Sequence, residues 1–107
     1  MFDDNKNILI ASLIASLKAR LEEYGIVFLS DFQIVEMNTP MTFKELVLTA
    51  SIESNLTLEI EFYAMRDIIE WSIYDRDNLL SNNKMIYDNL IETLYKKLPI
   101  RIARDLH

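Results

Sequence analysis

Between Leu46 and Tyr74 the chain alternates apolar and polar residues, "LVLTASIESNLTLEIEFYAMRDIIEWSIY", and this pattern constrains the fold more than any other feature. Successive side chains of a strand point to opposite faces, so a period of two describes a half-buried sheet. Three strands follow. The first, Leu46 to Glu53, directs Leu46, Leu48, Ala50 and Ile52 to one side and Val47, Thr49, Ser51 and Glu53 to the other. The second, Thr57 to Tyr63, sets Leu58, Ile60 and Phe62 against Thr57, Glu59, Glu61 and Tyr63. The third, Ile68 to Tyr74, carries Ile69, Trp71 and Ile73 on the apolar side.

Facing residues of an antiparallel pair must share a side. A three-residue loop, Ser54-Asn55-Leu56, therefore pairs Ile52 with Leu58, Ala50 with Ile60 and Leu48 with Phe62, and on the other side Ser51 with Glu59 and Thr49 with Glu61. A turn over "AMRD" sets Phe62 opposite Ile69, Ile60 opposite Trp71 and Leu58 opposite Ile73. The same register brings Glu61 face to face with Glu70.

Helices flank this meander. From about Lys6 to Tyr24, Ile10, Leu13, Ile14, Leu17, Leu21 and Tyr24 recur at steps of three and four and form one helical stripe. Asp3, Asp4 or Asn5 can cap its start, and Gly25, the only glycine, suits the left-handed position past its end. "IVFLSDFQIVEM" reads as extended, in one strand or two, with Ser30 and Asp31 as the breaking point. "DRDNLLSNN" reads as a polar connector, followed by a second helix from about Lys84 to Leu98 with Tyr87, Leu90, Ile91, Leu94 and Leu98 on its apolar stripe. Pro99 ends that helix or opens a short terminal one, in which Ile102, Ala103 and Leu106 pack.

The expected fold is thus a two-layer α+β domain: an N-terminal helix, an antiparallel meander of three to four strands, a C-terminal helix and a short terminal helix. Hydrophobic cores close at about 100 to 150 residues, so the 107 residues are expected to make one domain.

Composition narrows the chemistry. With no cysteine, disulfides, thiolate metal sites and a Cys nucleophile are excluded. A lone histidine, His107, gives no basis for a Ser-His-Asp triad or a His-based metal site. One glycine cannot build a phosphate-binding loop. "DRDN" at 75–78 does not extend into a calcium loop, because the sixth position is Leu80 rather than Gly and the twelfth Ile86 rather than Glu. No cofactor and no enzymatic activity are expected. The N-terminus opens with aspartates and its apolar run is broken by Lys18 and Arg20, unlike a secretory signal, and no stretch is long and apolar enough to span a bilayer. The expectation is a cytoplasmic protein without membrane contact.

Net charge is -6, which disfavours direct nucleic-acid binding, since that relies on neutralising phosphates. The excess is concentrated. Residues 45–77 hold eight acids, Glu45, Glu53, Glu59, Glu61, Asp67, Glu70, Asp75 and Asp77, against Arg66 and Arg76. The C-terminal Lys96, Lys97, Arg101 and Arg104 read first as complementing the dipole of the helix they close, with phosphate or nucleic-acid contact and pairing with the acidic sheet, within the chain or between copies, as the alternatives.

The candidate site is the carboxylate-bearing sheet face. Like charges directly opposite in a sheet are destabilising, so Glu61 against Glu70, with Glu59 alongside, is the feature that needs a reason. Solvation is the plain one. A divalent cation is a poor fit to flat sheet carboxylates. A basic protein surface is the better fit, with Glu59, Glu61 and Glu70 supplying charge complementarity and Tyr63 and Tyr74 supplying contact area. The sequence therefore points to a small acidic protein-binding module of the inhibitor, immunity or adaptor kind. Two other readings stay open: a subunit that self-associates into a homo-oligomer through a sheet edge or the second helix, and a small carboxylate-dependent metal enzyme.

Overall fold

A computed structural model describes the backbone of residues 4–36, 46–63 and 67–107, and the side chains of all of these except residues 4–10 and 36. Its elements in chain order are α1 (Asp4–Glu23), β1 (Gln33–Glu36), β2 (Leu46–Ile52), β3 (Leu56–Tyr63), β4 (Ile68–Asp75), β5 (Asn78–Ile86), α2 (Leu90–Glu92), a π-helical turn (Thr93–Lys97) and α3 (Leu98–Leu106). This is an α+β fold with a five-stranded antiparallel sheet in the order β1-β2-β3-β4-β5. The described residues gather into two compact units, one of α1 and residues 89–107, the other within residues 27–88. The expected caps at Asp3, Asp4 and Asn5, the side chain of Ile10 and most of the "AMRD" turn lie outside what is described.

In the helical unit, Leu17 and Leu21 are buried, while Leu13 and Ile14 are half-buried and Tyr24 is exposed. Gly25 stops α1 as expected, at a φ of 91°. The Gly25 N–H donates to the Glu22 carbonyl (3.0 Å) and the Ile26 N–H to the Leu21 carbonyl (3.2 Å). This pair of bonds is a Schellman ending, and the burial of both Ile26 and Leu21 matches its usual apolar contact.

The C-terminal helical run starts at Leu90, not Lys84. Asn89 caps it, its side chain accepting from the Glu92 N–H at 3.0 Å and its carbonyl from the Thr93 hydroxyl at 2.7 Å. Within the run the Leu98 N–H donates to the Thr93 carbonyl, five residues back. Pro99 lies just beyond, and in an unbroken α-helix its ring would strike the carbonyl four residues back, that of Tyr95. The widened turn relieves this clash and lets α3 proceed. Leu94, Leu98, Ile102 and Ala103 are buried; Ile91, placed by its spacing on the apolar stripe, is exposed. Across this unit the Tyr95 hydroxyl donates to Ser16 Oγ (3.3 Å), and the Arg20 guanidinium lies 4.9 Å from the Tyr95 ring centre.

In the sheet unit the expected meander is present and one strand longer than three to four. "DRDNLLSNN" is not a connector. Asp75 pairs with Asn78 around a two-residue turn in which Arg76 takes a φ of 58°, and Asn78–Ile86 continues as β5 against β4. Lys84 is therefore a strand residue and Tyr87, once on the expected helix stripe, follows β5 with its N–H on the Asp67 carbonyl (2.9 Å). Asparagine and serine have low intrinsic strand preference, but the backbone hydrogen bonds of β4 override it.

The β3–β4 register is the expected one, with Phe62 on Ile69, Ile60 on Trp71, Leu58 on Ile73 and Glu61 on Glu70. Between β2 and β3 the register differs by two residues: Leu46 pairs with Phe62, Leu48 with Ile60, Ala50 with Leu58 and Ile52 with Leu56, while Val47 faces Glu61, Thr49 faces Glu59 and Ser51 faces Thr57. The cause is the loop, which is Glu53-Ser54-Asn55, with Ser54 and Asn55 both left-handed at φ 64° and 60°. Moving the loop centre by one residue slides the partners by two, which leaves every side chain on its own face.

The segment before β1 does break where expected. The Leu29 N–H donates to the Ser51 carbonyl, Ser30 Oγ accepts the Ser51 N–H at 2.9 Å, and the regular strand begins only at Gln33. Phe28 and Phe32 brace this bend edge to face, 5.2 Å between ring centres. Along the apolar face of the sheet, Leu48, Ala50, Ile52, Leu58, Ile60, Ile69, Trp71 and Ile73 are all buried.

Candidate functional site

The second face of the sheet carries Thr49 and Ser51 from β2, Thr57, Glu59, Glu61 and Tyr63 from β3, Glu70, Ser72 and Tyr74 from β4, and Asn82 and Lys84 from β5. All five residues expected at the site, Glu59, Glu61, Glu70, Tyr63 and Tyr74, sit on this face and are half-buried. The β3 and β4 registers put Glu59 opposite Ser72, Glu61 opposite Glu70 and Thr57 opposite Tyr74. Glu61, Glu70 and Tyr63 come together. Tyr74 stands apart, four residues along β4 from Glu70.

A donor lies between the facing carboxylates. The Tyr63 hydroxyl donates to Glu61 Oε2 and lies 3.1 Å from Glu70 Oε1. A phenol has one hydrogen, so both carboxylates draw on the same proton. Two residues further along β3 from Glu61, Tyr63 reaches back over the pair. Burial pushes the Tyr63 phenol well above its ordinary range, and the hydrogen bond and negative charge of Glu61, then the charge and contact of Glu70, push it further. Tyr63 is held as a neutral donor.

Glu70 has a second donor that the sequence did not reveal. Asn82 Nδ2, on β5, gives one hydrogen to Glu70 Oε2 (2.8 Å) and one to Ser72 Oγ (2.8 Å). Ser72 is buried, and this bond satisfies its hydroxyl. Lys84, also on β5, is the direct cross-strand neighbour of Glu70 and offers a cation beside it. Asn82, Ser72 and Lys84 enter the site only because β5 is a strand. The one signal for it was "YDRDNL", a two-residue turn between segments that can extend.

The site is thus a row across β3, β4 and β5, Glu61, Glu70, Lys84, with Tyr63 on one flank and Asn82 on the other. Its carboxylates are positioned by donors rather than splayed. Among the described residues no three His, Cys, Asp or Glu side chains are placed to hold a metal ion. No described helix is long and apolar enough to cross a membrane. Comparison with known proteins gives no match, whether to a protein-family model, to a curated protein or to a solved structure.

Proposed function

We propose that the chain is a small protein-binding module of the inhibitor, immunity or adaptor kind, which acts in the cytoplasm on a partner with a basic surface. The polar face of the sheet is the contact. Glu61 and Glu70 supply its charge, Glu59 extends it by one cross-strand row, and Tyr63 and Tyr74 supply aromatic area. The observation that supports this reading is the shared donor: the Tyr63 hydroxyl holds two carboxylates side by side at a half-exposed face. Groups fixed before binding lose less freedom on association, which favours a specific complex. A facing pair of carboxylates also suits the forked guanidinium of an arginine, which takes two oxygens at once.

The test is affinity capture from lysate of the source cells, read by mass spectrometry, with wild type and the Glu59→Gln, Glu61→Gln, Glu70→Gln triple variant as baits. The expected result is a basic protein retained by wild type alone, with an affinity that falls as salt rises. Recovery of the same proteins by both baits would remove the acidic face from the function.

A further inference from the structure

The two edges of the sheet are unlike. β1 is four residues long and its pairing with β2 is irregular between Ile34 and Glu36, devices that blunt an edge. β5 is nine residues long, contains no proline, and ends the strand order, so among the described residues its outer row of backbone N–H and C=O groups faces no strand of the sheet. Its register with β4 shifts once, at Leu80, and is regular from Ser81 to Ile86. It also exposes large apolar side chains: Leu79, Leu80 at 58% and Ile86 at 77% of their accessible surface. A long edge of this kind is a template for another strand.

We propose that β5 pairs antiparallel with β5 of a second copy about a twofold axis at Asn83, joining two sheets into one of ten strands. The pattern of β5 is complementary to itself in this register. Asn83 faces Asn83, Asn82 faces Lys84, Ser81 faces Met85, and Leu80 faces Ile86 at both ends, so the two most exposed apolar residues of the strand cover each other. Neighbouring registers are worse. Centring on Lys84 sets two cations opposite, and centring on Asn82 leaves Ile86 against Asn78 and Leu80 against Lys84. An odd shift would exchange the faces.

Charge also selects this edge. Residues 27–88 carry eleven acids and four bases, so two copies of the sheet unit repel. β3 and β4 hold two acids each, whereas β5 holds none and has Lys84. Contact along β5 therefore brings the cationic strand of each copy between the acidic strands of both. It leaves Glu59, Glu61 and Glu70 on the face, while Lys84 and Asn82, which flank Glu70, line the seam.

The experiment is molar mass by light scattering over a wide range of concentration, for wild type, the Leu80→Lys/Ile86→Lys variant and the triple glutamate variant, with circular dichroism to confirm folding. Wild type and the glutamate variant are expected to rise toward twice 12.6 kDa, and the lysine variant to stay at 12.6 kDa. As a check that does not weaken the edge, Asn83→Cys, in a chain with no other cysteine, is expected to be captured as a dimer by a short bis-maleimide, and Glu22→Cys on α1 is not. A wild-type mass of 12.6 kDa throughout, a dimer that persists in the lysine variant, or equal capture at both cysteines would overturn the proposal.

Discussion

Glu61 and Glu70 face each other across β3 and β4 and share the single hydroxyl hydrogen of Tyr63. A pairing that should be repulsive is thereby bridged from one flank, and Asn82 relieves Glu70 from the other. Tyr63→Phe keeps the ring and removes only the bridge. We expect a loss of about 1.5 to 3 kcal/mol near neutral pH, the range for a hydrogen bond to a charged group, read from the urea midpoint. Glu61→Gln in the same background should recover part of it, because an amide can donate to Glu70. A Tyr63→Phe midpoint equal to wild type would show that the hydroxyl does not hold the pair.

Alkaline pH tests the same residue by linkage. The phenol's folded value is raised above its ordinary 10.0, so the neutral form is the one the fold prefers. The stability this contributes is fully present below 10.0 and is lost as pH rises through the raised folded value, because the unfolded chain ionises first. Unfolding by urea should become easier as pH rises above 10.0, with a smaller decline in Tyr63→Phe. In an absorbance titration of the folded protein, a late tyrosine ionisation is expected that is missing from Tyr63→Phe. Late ionisation that is unchanged in Tyr63→Phe would assign it to another ring.

The left-handed positions predict opposite effects of glycine chemistry. Gly25→Ala places a Cβ at a φ of 91° and should cost about 1 to 2 kcal/mol. Ser54→Gly relieves a φ of 64° in the β2–β3 loop, offset by the extra freedom of glycine in the unfolded chain, and should gain up to about 1 kcal/mol. Thermal unfolding checks both. A Ser54→Gly variant less stable than wild type would mean that the loop conformation carries no strain.

How far the fold could be read varies with the physics of each element. The β3–β4 register was legible to the residue because their alternation and short turn admit few registers, though each strand runs one residue longer, to Leu56 and Asp75; with the register came Glu61 against Glu70 and Tyr63 on the same face. The β2–β3 register was open by two because a slide of two keeps all burial, so only the backbone of Ser54 and Asn55 decides it. β5 was not legible. Its first half reads as a connector because its Ser and Asn residues favour turns, and Lys84 to Ile86 read as the start of the helix whose stripe begins at Tyr87; pairing with β4 is a tertiary effect that no local pattern records. The donors on β5 were hidden with it.

The π turn at Thr93–Lys97 also sets a rotational phase. Each residue of an α-helix turns the chain by about 100°, and the turn accommodates one residue more than a regular helix would. Deleting one residue there would leave an unbroken helix whose α3 portion is rotated by that angle about its axis. Leu98 and Ile102 would swing away from α1, and the exposed row of Lys97, Arg101 and Arg104 would turn with them. The packing would be lost and the Pro99 ring would again meet the carbonyl four residues back, so the irregular turn acts as the gear that keeps α3 in step.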